Sequence, residues 1–240
     1  MGKRIISQRR GRGTTTYRSP SHRYVGKASY RVYDNQEKLK SINGKITDIV
    51  HCAGHSAPLI EITYEDGTKA LTIAPEGVYV NKEVQSGNQA QSAIGNILQL
   101  RDIPIGTKVF NIEKSPGDGG KFIRSAGTTA TVIERTEKGI VVMLPSKKLK
   151  EFNFECRATI GISAASGKGE KPFVKAGNRF HAMAAKNKLY PQTSGVAMNA
   201  VDHPFGSGRG RHIGKPKNPS RFAPPGRKVG SIRARRMGKK

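Results

Sequence analysis

Charge is sorted along this 240-residue chain. Residues 1–33 carry nine Lys/Arg and no carboxylate, residues 34–170 carry 17 Lys/Arg against 16 Asp/Glu, and residues 171–240 carry 17 Lys/Arg against one acid, Asp202. The formal net charge of +26 therefore sits almost wholly at the two ends. Like charges within about 8–10 Å repel at physiological ionic strength, and neither end contains the carboxylates that would offset this. A polyanion is the natural counter-ion, and nucleic acid is the one that absorbs charge on this scale. Both ends are rich in Gly, Pro and Ser and poor in large apolar residues, so burial cannot offset their ordering entropy. They are expected to be disordered alone and fixed only against a partner.

The near-neutral middle is the part able to build a core, and its pattern is β. Ile42–Ile49, Leu59–Tyr64 and Lys69–Ile73 read as strands, with an Asp66-Gly67 hairpin turn between the last two. Ala74-Pro75-Glu76-Gly77 breaks the series, and Val78–Val80, Ile94–Leu100 and Lys108–Ile112 continue it. Short strands at this density fit a small closed barrel. A second series follows Gly120: Thr128–Glu134, Ile140–Leu144, Leu149–Phe154 and Arg157–Ile162. Helix signals are scarce. The best is Asn178–Lys188, with Asn178 as its cap.

No apolar run approaches the roughly 18 residues of a membrane span, and the apolar stretch of a signal peptide is missing. Two cysteines, Cys52 and Cys156, make no disulfide framework and read as buried inert thiols in a reducing cytoplasm.

Four motifs bear on chemistry. Gln8-Arg9-Arg10-Gly11-Arg12-Gly13 is an arginine–glycine segment. Its guanidinium forks suit phosphate and base faces, and Arg18, His22, Arg23, Lys27 and Arg31 extend the series. Ser115–Lys121 (SPGDGGK) departs from a nucleotide-binding loop because Phe122 stands where Ser/Thr is needed. It reads instead as a Gly-rich turn whose amides and Lys121 face a phosphate. His51-Cys52-Ala53-Gly54-His55 lacks the second ligand pair of a structural zinc site and reads as a loop. Asp202-His203 near Ser207 lies in a Gly-rich strip rather than a rigid pocket, so hydrolysis is disfavoured. It reads as a loop in which Asp202 orients His203, while Arg209 and Arg211 contact phosphate. Beyond it, Pro216, Pro219, Pro224 and Pro225 forbid a continuous helix, which leaves an extended arm able to thread between RNA helices.

GKRIISQRRGRGT near the start, SPGDGGKFIRSAGT at 115–128, CRATIGI at 156–162, KPFVKAGN at 171–178, GVAMNAVDHPFGSG at 195–208 and APPGRKVGSIRARR at 223–236 together resemble one family. It is the second protein of the large ribosomal subunit in its archaeal form, and the resemblance runs essentially from Gly2 to Arg236. It implies an all-β fold: an OB-like barrel followed by an SH3-like barrel, with extended basic N- and C-terminal arms. The expected division is 1–33 for the N-terminal arm, 34–110 and 111–195 for the two barrels, and 196–240 for the C-terminal arm. The resemblance further implies a structural constituent of the ribosome, not an enzyme. It would bind large-subunit rRNA, support the peptidyl-transferase region, and help subunit association and tRNA placement.

Residues expected on rRNA are Arg9, Arg10, Arg12, Arg18, Arg23, Lys121, Arg124, Lys175, Asn199, His203, Arg209, Arg211, Arg227 and Lys228. His203 is expected nearest the peptidyl-transferase centre. Expected partners are rRNA, neighbouring ribosomal proteins and the small subunit across the interface, at a cytoplasmic ribosome. No membrane, small-molecule substrate, cofactor or metal is expected. Two departures stand out. Phe205-Gly206-Ser207-Gly208 replaces the family's His-Gly-Gly-Gly, so that Phe205 either stacks on a base or packs in a core. Cys52-Ala53-Gly54-His55 replaces Asp-Pro-Gly-Arg, putting a titratable residue where a phosphate-contacting arginine is usual.

Overall fold

A computed structural model describes residues 2–232, so the last part of the expected C-terminal arm, 233–240, lies outside the described residues. Contacts between Cα atoms group residues 21–172 into one compact unit, and residues 1–20 with 173–240 into another.

The 21–172 unit is an OB-like barrel followed by an SH3-like barrel, built from one continuous run of ten strands. These are β1 (Ser41–Val50), β2 (Leu59–Tyr64), β3 (Lys69–Ile73), β4 (Glu83–Gly87), β5 (Ile97–Gln99), β6 (Lys108–Phe110), β7 (Ala130–Arg135), β8 (Ile140–Met143), β9 (Leu149–Phe152) and β10 (Arg157–Ile160). Their spatial order is β3-β2-β1-β4-β5-β10-β6-β7-β8-β9. The last strand in sequence is thus inserted between β5 and β6, antiparallel to both. Alternation along β2 sends its two faces into different clusters. Ile60, Ile62 and Tyr64 face the first-barrel cluster with Ile42, Ile46 and Val84. Leu59, of opposite parity, joins a cluster with Ala28, Cys52, Ile73 and Phe110. The second barrel closes on Leu98, Val109, Val132, Ile140, Val142, Phe152 and Ile160. Both cysteines are buried and free. Burial is also the main reason the Cys156 thiol is pushed up to about 11.

Several local expectations differ from what forms. Val78–Val80 is not a strand: it lies in a turn region with Tyr79 63% and Val80 43% exposed. The strand at that place is β4, whose sequence EVQSG hides it because its pairing partner β1, not its own composition, fixes it. Ile94–Leu100 shortens to β5, followed by a 3-10 turn over Leu100–Asp102.

A buried ionic cluster joins the barrels. A five-residue helix, α2 (Asn35–Leu39), follows Asp34, whose side chain caps it by accepting from the Glu37 amide. Glu37 is fully buried and faces Arg157, whose side chain is 1% exposed. Arg157 Nη1 donates to Glu37 Oε2 at 2.8 Å and to the Arg31 carbonyl at 2.9 Å. Its Nη2 donates to Glu113 Oε1 at 2.7 Å, and its amide donates to Glu113 Oε2 at 2.9 Å. The guanidinium carbon also lies 5.2 Å from the Tyr30 ring centroid and 4.8 Å from that of Tyr33. Ser86, on β4, hydrogen-bonds the second oxygen of Glu37.

The 1–20 and 173–240 unit has little core. Among its described residues only Pro20 and Phe205 are buried. It holds α1 (Ile6–Arg10) and α3 (Ala176–Ala184). The latter corrects the expected Asn178–Lys188. The helix begins two residues earlier, Asn178 lies inside it, and its side-chain amide donates back to the Phe173 carbonyl at 3.0 Å instead of capping.

Arg157→Ala strands two buried carboxylates and is expected to destabilise the protein by about 3–5 kcal/mol, read as a lowered urea midpoint for the transition of the 21–172 unit.

Candidate nucleic-acid interface

The Gly-rich turn at 115–120 does not present its amides outward. Glu113, three residues beyond β6, accepts from the amides of Gly117 at 3.2 Å and Gly119 at 2.9 Å. Asp118 accepts from Gly120 at 3.0 Å, and from Lys114 and Ser115 at 3.0 and 3.3 Å. The chain's own carboxylates therefore occupy the anion position, which corrects the expected amide cradle for phosphate. Gly120 is required here: at φ +93° a Cβ would sit 2.4 Å from Asn111 Oδ1. What remains for a phosphate is the exposed Lys121 side chain.

Arg124 follows on the same loop. Its Nη1 donates to the Gly120 carbonyl at 3.1 Å and Nη2 to the Ala28 carbonyl at 2.8 Å. Two of its five N–H donors are thereby committed, and burial lowers its pKa from the ordinary arginine value. His55 Nδ1 lies 3.2 Å from Cys52 Sγ. Burial, and then the charge of Arg124, pull the His55 pKa down, so the imidazole is neutral at neutral pH and does not replace an arginine. Arg31 drops out of the phosphate series: Nη2 contacts Asp34 and Asp66, each at 2.6 Å. Thr68, through its hydroxyl and amide, and then Arg31 hold the Asp66 carboxyl down to about 2.

In the other unit, Arg9, Arg10, Arg12, Arg18, Lys175, Asn199, Arg209, Arg211, Arg227 and Lys228 are all exposed, as is Arg23 in the barrel unit. None of them enters an ion pair among the described residues. This unit carries 22 Lys/Arg and the single acid Asp202. Asp202 faces Lys3 Nζ at 3.8 Å instead of orienting His203. His203 is oriented by backbone: the Phe205 amide donates to its Nδ1 at 3.1 Å. Nδ1 is then the acceptor and Nε2 carries the proton, while burial lowers the pKa of the ring. Gly195 packs on this imidazole so closely that a Cβ would lie 2.4 Å from His203 Cε1. His203, Arg10 and Lys228 meet around a cleft of about 500 Å³ that Ile5 and Met198 also line. Phe205 is 8% exposed, which decides for packing over base stacking.

Sequence reasoning missed the inward-facing role of Glu113 and Asp118. The acids were legible as residues, but their register against the loop amides was not. Among the described residues no group of three or more His, Cys, Asp or Glu is placed to hold a metal ion. No helix among them is long and apolar enough to cross a membrane.

A family model described as the RNA-binding N-terminal domain of ribosomal proteins L2 matches residues 2–86, and one for the C-terminal domain of the same proteins matches residues 93–223. The chain belongs to the ribosomal L2 family. It is 53% identical over 240 residues, the full length of both chains, to the large ribosomal subunit protein uL2 of Methanothermobacter thermautotrophicus. To the protein of that name from Natronomonas pharaonis it is 50% identical over 239 residues, covering 100% of this chain and 97% of the other. To that of Methanocaldococcus jannaschii it is 52% identical over 99% of each. Membership of the L2 family makes the chain a ribosomal protein with an RNA-binding N-terminal domain, a structural component rather than an enzyme, and the relatives are named as proteins of the large ribosomal subunit.

Two outcomes are expected. Titrating inorganic phosphate leaves the amide resonances of Gly117, Gly119 and Gly120 unmoved, because those N–H groups already have acceptors. On acidification the Asp66 contribution to stability, fully present above its ordinary value of 3.8, is lost as pH falls through about 2. Urea midpoints measured at descending pH fall less steeply for Asp66→Asn.

Proposed function

We propose that the chain neutralises large-subunit rRNA phosphate with its exposed cations, that it supports the peptidyl-transferase region, and that it helps subunit association and tRNA placement. The observation that carries this is the contrast within the 1–20 and 173–240 unit, which has 22 Lys/Arg, one acid and two buried residues among those described. Such a segment gains little from its own burial and much from counterion release when phosphate surrounds it. Arg9, Arg10, Arg12, Arg18, Arg23, Lys121, Lys175, Arg209, Arg211, Arg227 and Lys228 bind phosphate as exposed point charges or forks, and Asn199 contributes an exposed side-chain amide. Arg124 contacts RNA with the donors its two carbonyl bonds leave over. Specificity comes from RNA shape rather than a base code.

In this reading His203 lies nearest the peptidyl-transferase centre. Held neutral with one N–H donor, it positions RNA there, and the chemistry of peptide bond formation belongs to the RNA. The small subunit is met across the interface. The functional division follows the arms at 1–33 and 196–240 and the barrels at 34–110 and 111–195.

Filter binding of the full chain to large-subunit rRNA fragments over a salt series tests this. About 10 engaged phosphates give a log–log slope near −7 to −9. Arg209→Ala/Arg211→Ala is expected to make that slope shallower by about 1.5–2 with the fold intact. A slope unchanged in the double variant, or duplex DNA outcompeting rRNA, overturns the proposal.

A further inference from the structure

With Phe205 buried, another aromatic stands on the surface of the C-terminal stretch. Phe222 is 88% exposed, the highest value among the large hydrophobic side chains described. The loop that presents it is held in shape by its own bonds. The Ser231 amide donates to the Lys217 carbonyl at 3.0 Å and closes the base, and a Cβ on Gly230 would sit 2.9 Å from Phe205 Cζ, so the base rests on the buried ring. Lys228 Nζ donates to the Arg221 carbonyl at 3.1 Å, and the Arg227 and Lys228 amides both donate to the Pro224 carbonyl, at 3.1 and 3.2 Å. Pro216, Pro219 and Pro224 stiffen the backbone around a groove of about 340 Å³, which Phe222 and Arg227 also line. The Arg221 guanidinium carbon lies 5.8 Å from the Phe222 ring centroid.

We propose that Phe222 and Arg221 form a stacking site for one unpaired nucleobase of RNA, with Arg227 taking the adjoining phosphate. This rests on the rRNA-binding function proposed above and names the nucleotide chemistry this part of it takes. Three features point to a base. The groove volume falls within the range of about 300–1,000 Å³ found for small-ligand sites. The exposed apolar surface is a single planar ring with a guanidinium beside it, the pair of π and cationic groups that bases accept in single-stranded nucleic-acid sites. Residues 203–232 contain no Asp or Glu, so the surroundings complement a phosphodiester and repel a basic peptide. Preorganisation by the Lys217–Ser231 closure reduces the ordering cost of binding.

The chain has no tryptophan, so Phe222→Trp places a single fluorophore at the site. Full-length Phe222→Trp titrated with large-subunit rRNA is expected to show strong quenching. Heparin, a polyanion without bases, is expected to bind without quenching. Phe222→Leu should lose about 5- to 100-fold in rRNA affinity at fixed salt, the range for one lost base–aromatic stack, with the salt slope unchanged, and Phe222→Tyr should retain affinity. Normal rRNA affinity of Phe222→Leu, or an unquenched Phe222→Trp that still binds rRNA, overturns the stacking site and leaves the phosphate-binding function standing. Failure of the wild-type chain to prefer rRNA over duplex DNA overturns both.

Discussion

Arg157 is enclosed by Glu37, Glu113 and the rings of Tyr30 and Tyr33, with 1% of its side chain exposed. Removing a guanidinium and two carboxylates from water costs several kcal/mol per ion, and excellent geometry is needed to offset it. Here each group has more than one partner. Glu113 receives the Arg157 side chain and amide together with two loop amides, and Glu37 receives Arg157 and Ser86. The cluster draws on α2, β4, the loop after β6, and β10. It therefore links both barrels and the 115–120 turn through a single cation. Desolvation disfavours that charge, yet the hydrogen bonds to Glu113 and the field of Glu37 keep the Arg157 pKa above the ordinary arginine value.

Basic residues in this chain thus divide by whether acids were placed nearby. Arg31 and Arg157 are spent on folding, and Arg124 is partly spent on two carbonyls. The 1–20 and 173–240 unit has Asp202 as its one acidic residue, and among the described residues its cations remain exposed apart from the half-buried Lys186. Charge that stabilises and charge that recruits are the same residue types, told apart by local acid content.

That distinction was partly legible in the sequence. Branched, alternating segments announced themselves, which is why β2 and β3 form at the bounds read from sequence. EVQSG did not, since its strand character derives from pairing with β1 and its burial from the Ser86–Glu37 contact. Val78–Val80 looked like a strand by composition, but a turn exposes it. At the candidate interface, the exposed basic residues were legible from the missing acids. Arg31 looked like one more of them: Asp34, three positions on, was the one nearby acid, and its second partner Asp66 lies 35 positions away and reaches 2.6 Å only in the folded chain. The inward turn of the 115–120 amides was hidden likewise, because it depends on where Glu113 points.

The insertion of β10 between β5 and β6 has a temporal side. A ribosome emits the chain from its N-terminus, and Glu37, Glu113, β5 and β6 all leave well before residue 157. Through that interval two carboxylates destined for a dry interior still lack their guanidinium, and two strand edges lack the neighbour that will cover them. The nascent first barrel is thus an unfinished object, completed when one late strand slots in and delivers hydrogen bonds and positive charge in the same movement.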